Sequence, residues 1–420
     1  MQSHNLTRRL FLAGIIAVPA GGCSDLLDVD LPGVVEAKTL ENPEISALLV
    51  ESAIADFECA YTNYSAGSSA MSDEWWHTSG GQVYREWGGR QINAQNDNYV
   101  RAACDEGGFG QYVVIQTARF QAKDAFERIN EFSDADVPGD KNDMLATASA
   151  YEGYSLLMLG ENFCEMALDG GPLMQPGEVL AVSSERFERA ISMAGGNDDI
   201  RNMASVGLAR ALRGMGNLSG AATAAATVPE EFQYDVNRDD TPRRRWNRFV
   251  DSNVRRSDYT VAPPFRGIEW KGEPDPRVEL FYNGVIAAYD VDWWQTTKYK
   301  TLSDNIPLAT WVEAQLIMAE AQGGGGAVDI INRLHARAGL QPFDPAADMV
   351  EGPTGDNVMN MVIEQRRREF FLEGGHRLSD MLMYDLPFFT GVDHLGREYG
   401  DTTCWPLPDL ERLGNPNISG

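Results

Sequence analysis

Two stretches of this 420-residue chain concentrate side chains that could grip a ligand without reacting with it. The first reads Asp73-Glu74-Trp75-Trp76-His77, followed by Tyr84 and Trp87, with Gln91, Asn93 and Asn96 close behind. The second contains Trp270, Tyr289, Trp293 and Trp294. Flat aromatic faces cover the apolar CH surfaces of sugars or peptides, while nearby amides and carboxylates satisfy hydroxyl or amide groups. Adjacent tryptophans on one strand or helix cannot both face one core. At Trp75-Trp76 and at Trp293-Trp294, at least one ring is therefore expected to meet another layer, a ligand or a partner. The candidate ligand-binding residues are Trp75, Trp76, Tyr84, Trp87, Trp270, Trp293 and Trp294. The competing role for each is to pin a loop to the scaffold, because large rings are usually well buried.

Signals for chemistry are poor. The sequence has no G-x-S-x-G, no H-E-x-x-H and no G-x-x-x-x-G-K-[ST]. His77, His335, His376 and His394 lack metal-ligand spacing. With 62 acidic residues a carboxylate pair could arise anywhere, so abundance says nothing about hydrolysis. No catalytic residue, metal or cofactor is expected, and the protein reads as a binder. The 62 acids face only 35 Lys and Arg, a formal charge of −27, which repels phosphate backbones and argues against nucleic-acid binding.

The N-terminus decides the compartment. Arg8 and Arg9 precede an apolar run, Leu10 to Ala20, that is about half the length a bilayer span needs. It reads as the core of a signal peptide over residues 1–22, exported by the general or the twin-arginine route. Ala20-Gly21-Gly22-Cys23 resembles a bacterial lipobox, which would make Cys23 the lipidated first residue of the mature chain. Residues 23–41 then form a tether, and the lipid holds the protein on the membrane. Removing residues 1–22 takes away two arginines and leaves a charge of −29. Export implies an oxidising compartment, so Cys59, Cys104, Cys164 and Cys404 are disulfide candidates. Of their three possible pairings, Cys59 with Cys104 and Cys164 with Cys404 is favoured, because the first two share a segment; four buried thiols are the competing state.

Beyond the tether, Asn42 can cap a helix with Pro43 at its first position and a stripe of Ile45, Leu48, Leu49, Ser52 and Ala53. Residues 62–111 crowd Gly, Ser, Asn and aromatics without a period, and read as a long structured loop. Helical periodicity returns over about 113–229, where Phe187 to Ala222 is a 35-residue repeat. That spacing looks like two degenerate tetratricopeptide hairpins, with small residues at Gly153, Ala190, Gly207 and Ala222 letting helices approach closely. Residues 230–306 break the pattern again, and Arg243, Arg244 and Arg245 within them read as a solvated cluster. Helices are expected over Leu308 to Gln322, Ala327 to Ala338 and Asp356 to Gly374, with a stop at Gly323 to Gly326. The expected fold is mostly α: a superhelix of helix hairpins over about 113–229 and 308–385, two long irregular insertions at 62–111 and 230–306, and a few small β-hairpins. A single domain over 42–420 holds all of it.

The C-terminal half carries a family likeness. Trp311 to Ala321, then Ile330-Ile331-Asn332-Arg333-Leu334-His335-Ala336-Arg337-Ala338-Gly339-Leu340, then Ile363 to Gly374 with His376-Arg377 and Asp380, and finally Pro406-Leu407-Pro408 with Asn415-Pro416-Asn417, resemble in order the motifs of SusD/RagB-family outer-membrane lipoproteins. The chain departs from them at Gln365, where many members carry an acid, and in the bare Gly323 to Gly326 loop. The resemblance implies a lipid-anchored protein at the cell surface that binds a nutrient, an oligosaccharide or other polymer fragment, and passes it to a SusC-like TonB-dependent transporter. The alternative is a periplasmic tetratricopeptide scaffold that binds protein segments during envelope assembly. Taken alone, Glu364, Arg367, Arg368, Glu369 and Glu373 make i, i+3 and i, i+4 pairs and describe a salt-laced structural helix. His376, Arg377 and Asp380 are expected to pin the last helix, so the ligand site must lie elsewhere.

Overall fold

A computed structural model describes residues 37–95, 97–104 and 110–418. The signal peptide, Cys23 and Asn96 lie outside these residues. Ala37–Glu41 forms a short 3-10 helix in a unit of its own, and Asn42–Gly420 forms the second compact unit.

The second unit is built mainly of α-helices. These are α1 (Ser46–Met71), α2 (Gln82–Gly88), α3 (Asp97–Arg101), α4 (Tyr112–Glu131), α5 (Lys141–Asn162), α6 (Pro176–Met193), α7 (Asp198–Gly214), α8 (Leu218–Ala225), α9 (Trp311–Gln322), α10 (Gly324–Arg337), α11 (Asn357–Glu369), α12 (His376–Met383) and α13 (Asp409–Gly414). Antiparallel strand pairs decorate them: β1 (Trp75–His77) with β5 (Tyr259–Val261), β2 (Met166–Ala167) with β3 (Leu173–Met174), and β4 (Gln233–Val236) with β10 (Ile306–Thr310). Two more hairpin pairs are β6 (Glu269–Trp270) with β7 (Glu273–Pro274), and β8 (Leu280–Phe281) with β9 (Gln295–Thr296). Helix hairpins with small β-pairs and an irregular second insertion are the architecture the sequence implies.

The hairpin region is held by a large ring set between small residues. Phe187 on α6 is buried between α5 and α7, where a Cβ on Gly153 or on Gly207 would collide with its ring. Tyr154 meets the same ring edge-on at 4.8 Å. The helices start where local chemistry starts them. Pro176 opens α6 with Glu178 accepting from the Gln175 amide at 2.7 Å, Asn197 caps α7, and Asn217 caps α8. Gly207→Ala is expected to cost about 1–3 kcal/mol of unfolding free energy by overpacking. A denaturant titration with an unchanged midpoint would refute the clamp.

Several sequence expectations need correction. Residues 62–71 are not loop: they are the second half of α1, buried on every side. A helix buried all round shows no apolar stripe, which is why the period was missing. Its polar side chains are satisfied inside, as where Asn63 donates to the Gly110 carbonyl and accepts from Arg248. Residues 82–88 and 97–101 are also helical. At the start of α1 the inward face is Ser46, Val50, Ala53 and Phe57, whereas Leu48 is exposed. Asn42 caps the short 3-10 turn Pro43–Ile45 that leads into α1. Residues 308–310 belong to β10, and only Gly323, at φ +60°, separates α9 from α10, whose first turn contains Gly324 to Gly326. Arg243, Arg244 and Arg245 are half-buried rather than solvated, with Arg244 on Asp56 at 2.7 Å and Arg243 over the Trp246 ring. Disulfides join Cys59 to Cys104 and Cys164 to Cys404.

Candidate functional site

The helices with the family-like motifs position the aromatic segments through buried charge. On α12, Arg377 grips Asp73 with two bonds of 2.6 Å, and Asp380 joins Arg366 of α11 (2.8 Å) to Arg213 of α7 (2.9 Å). Just beyond Asp73, Glu74 accepts from the Leu372 amide at 2.8 Å. Gln365 takes the Arg277 guanidinium at 2.8 Å, while Arg277 and Arg368 converge on Asp275. The motif helices are thus fastened both to β1 and to the segment that follows β7.

From that anchor β1 alternates. Trp75 points inward, is 1% exposed, and stacks on Tyr259 with centroids 4.7 Å apart. Trp76 is half-buried on the opposite side, with His394 stacked on it at 4.4 Å and an interplanar angle of 5°. β5 lies beside β1 in the register Trp76 to Thr260, and its other side binds the second tryptophan pair: the Trp294 amide donates to Thr260 Oγ1 (2.8 Å) and the Val261 amide to the Trp294 carbonyl (3.0 Å). Trp294 is half-buried and stacks on Tyr282 at 4.7 Å. Between the two indoles lies Arg266, its guanidinium carbon 5.5 Å from the Trp76 ring and 5.4 Å from the Trp294 ring. The outcome is a continuous surface running Trp76, Arg266, Trp294, Tyr282.

The rim of this surface is apolar and open. Tyr282, Phe281 and Tyr289 are 37%, 49% and 53% exposed. Tyr289 and Asp290 both adopt left-handed backbone (φ 62° and 58°), which costs on the order of 1–3 kcal/mol each and is concentrated at ligand clamps. The Tyr289 hydroxyl sits over Gly80, where a side chain would displace it, and Arg397 covers the Tyr289 ring at 5.7 Å.

Polar atoms are left over inside the surface. Trp76 Nε1, Trp294 Nε1, Arg266 Nη2, Arg397 Nη1 and His394 Nδ1 have no hydrogen-bond partner among the described residues. His394 Nε2 and the His77 carbonyl are 2.8 Å apart, so that nitrogen carries the proton. Burial, and then Arg266 and Arg397, lower the His394 pKa, which leaves Nδ1 as an acceptor. Two indole donors, a guanidinium and an imidazole acceptor beside aromatic faces match hydroxyl-rich molecules with CH faces.

The other sequence candidates are elsewhere. Trp75 and Trp87 are core residues, each 1% exposed, and Trp87 meets Trp405 edge-on at 5.1 Å. Tyr84 is buried against Tyr259, with Arg256 donating to its hydroxyl at 3.0 Å. These three are corrected from ligand contacts to packing. Trp270 donates to the Gln341 carbonyl at 2.7 Å and sits by His335 and Phe343, apart from the surface. Trp293 donates to the Asn253 carbonyl at 2.6 Å, so its ring secures the loop behind Trp294. Arg266, Tyr282 and His394 were not singled out from sequence as ligand contacts.

Glu74 offers a pH test of the anchor. Burial pushes its carboxyl from the ordinary 4.5 up to about 7, against the opposing hydrogen bond from the Leu372 amide. The folded protein therefore holds this proton at pH values where the unfolded chain has released it, and the group's contribution to stability falls as pH rises from about 5 to 7. Glu74→Gln is expected to raise the melting temperature relative to wild type at pH 8 and to leave it nearly equal at pH 5. A difference independent of pH would show that Glu74 is charged in the fold.

The SusD family model matches residues 292–386. The whole fold is similar to solved SusD-like structures. A SusD superfamily protein from Bacteroides vulgatus has a TM-score of 0.68 at 15% identity, covering 90% of this chain and 98% of that one. A SusD-like carbohydrate-binding protein, also from Bacteroides vulgatus, gives 0.66 at 15%, covering 90% and 97%. A laminarin-binding SusD-like protein gives 0.64 at 14%, covering 89% and 98%. No curated protein matches the sequence. The chain has the SusD-like fold, and the matched residues 292–386 include the motifs at Trp311 to Ala321, Ile330 to Leu340 and Ile363 to Asp380, while the closing segment from Pro406 lies beyond them. Among the described residues no helix is long and apolar enough to cross a membrane.

Proposed function

We propose that this protein is a lipid-anchored binder of oligosaccharides at the outer cell surface, which passes its ligand to a SusC-like TonB-dependent transporter without chemical change. The observation that carries this reading is the half-buried Trp76–Arg266–Trp294–Tyr282 surface, with unpartnered N–H groups beside stacking faces. Similar structures described as carbohydrate-binding and laminarin-binding support the ligand class. The lipobox-like segment before Cys23 supports the anchor, and the transporter supplies the energy coupling.

Calorimetric titration with neutral and acidic oligosaccharides tests the reading. Saturable binding with unaltered recovered glycan is expected; absence of binding across the panel, or turnover of the glycan, would overturn it. Palmitate labelling of cells, lost in Cys23→Ala, tests the anchor separately.

A further inference from the structure

This inference rests on the glycan-binding reading and names the ligand class. We propose that the glycan is acidic, bearing a carboxylate or sulfate group that Arg266 and Arg397 recognise.

The argument is one of unpaired charge. Elsewhere in the fold, buried arginines such as Arg213, Arg366 and Arg377 each hold a carboxylate at 2.6–2.9 Å. Arg266 does not: its Nε donates to the Val261 carbonyl at 2.8 Å, its Nη2 is shielded from water and unpartnered, and no carboxylate lies within ion-pair distance among the described residues. Asp292 is the acid whose charge it feels, but Oδ1 of that residue accepts from the Tyr282 hydroxyl at 2.7 Å. Arg397 repeats the pattern, with Nη1 unpartnered and its guanidinium spread over Tyr289. Arg266 lies over the same Trp76 ring on which His394 stacks, and Arg397 follows His394 by three residues. The neighbouring Asp393 is turned to His77 at 3.4 Å.

Arg266 and Arg397 are half-buried, and each keeps one N–H nitrogen that is shielded from water without a hydrogen-bond partner, a deficit that an anionic oxygen compensates best. The excess of acids over the whole chain does not cancel this, because charges beyond roughly 8–10 Å are screened at physiological salt. The Trp76 and Trp294 rings, 5.5 and 5.4 Å from its guanidinium carbon, also restrict the Arg266 side chain, whose planar fork suits a carboxylate or sulfate.

The test is titration of the full mature protein with oligogalacturonate, a sulfated galactan oligosaccharide and neutral laminarin oligosaccharide of matched length, at about 20 and 300 mM NaCl. At least one acidic glycan is expected to bind roughly tenfold or more tighter than the neutral one, with the advantage shrinking at high salt. Arg266→Gln keeps a planar side-chain end and is expected to erase the advantage, with acidic glycans losing roughly tenfold more affinity than the neutral one. The carboxylate and sulfate arms identify which anion is read. Equal binding of neutral and acidic glycans, or an advantage that survives in Arg266→Gln, would overturn the proposal while the aromatic surface remains the binding site. Failure of every glycan to bind would remove both.

Discussion

Trp294→Ala is expected to weaken oligosaccharide binding by about thirtyfold or more while leaving the melting temperature within a few degrees of wild type. The ring is half-buried, one face stacks on Tyr282, and the chain carrying it is held through its backbone to Thr260 and Val261. Truncation therefore strips the platform without opening the core. Trp76→Ala should behave alike, since His394 already covers one of its faces and backbone pairing with Thr260 holds the strand. Trp87→Ala supplies the contrast: a ring packed edge-on against Trp405 leaves a cavity, costing about 3–5 kcal/mol of stability. Titration calorimetry and thermal melts on the three variants separate the roles. If Trp294→Ala loses stability and keeps affinity, the ring is structural and the surface is misassigned.

Asp380→Ala should be among the most damaging single changes to the scaffold, at about 3–5 kcal/mol. Burial alone would push this carboxyl up, but the Arg366 and Arg213 guanidiniums outweigh it and hold it below the usual range. Its removal leaves the buried Arg366 without a carboxylate and Arg213 with Glu320 alone. Wild-type unfolding in denaturant, compared with Asp380→Ala and with an exposed-pair control such as Lys123→Ala, measures the difference; the control should change by less than about 1 kcal/mol. Similar small losses in both would mean that water enters the network and that it does not fasten α7, α11 and α12.

The same two regions show what was legible beforehand and why. Amphipathic helices such as α6 and α7 announce themselves, because one face meets the core and the other meets water. The end of α1 does not, because Tyr61 to Met71 is enclosed on all sides and its Gly, Ser and Asn are chosen for close approach and internal hydrogen bonds. The alternation argument at Trp75-Trp76 was sound, since a strand must send one ring each way. It could not say which ring faces out, because that depends on the β1–β5 register. Trp87 and Tyr84 share the composition of ligand contacts yet pack against Trp405 and Tyr259 from distant parts of the chain. Arg266 and His394 reach Trp76 from almost 200 and more than 300 residues away, and no local spacing encodes such meetings.

Hydrogen–deuterium exchange with and without a bound oligosaccharide tests the central claim most directly. The account predicts added protection confined to the segments around Trp76, Arg266, Tyr282 to Trp294 and His394. Protection falling on the α6–α8 hairpins with these segments unchanged would contradict it.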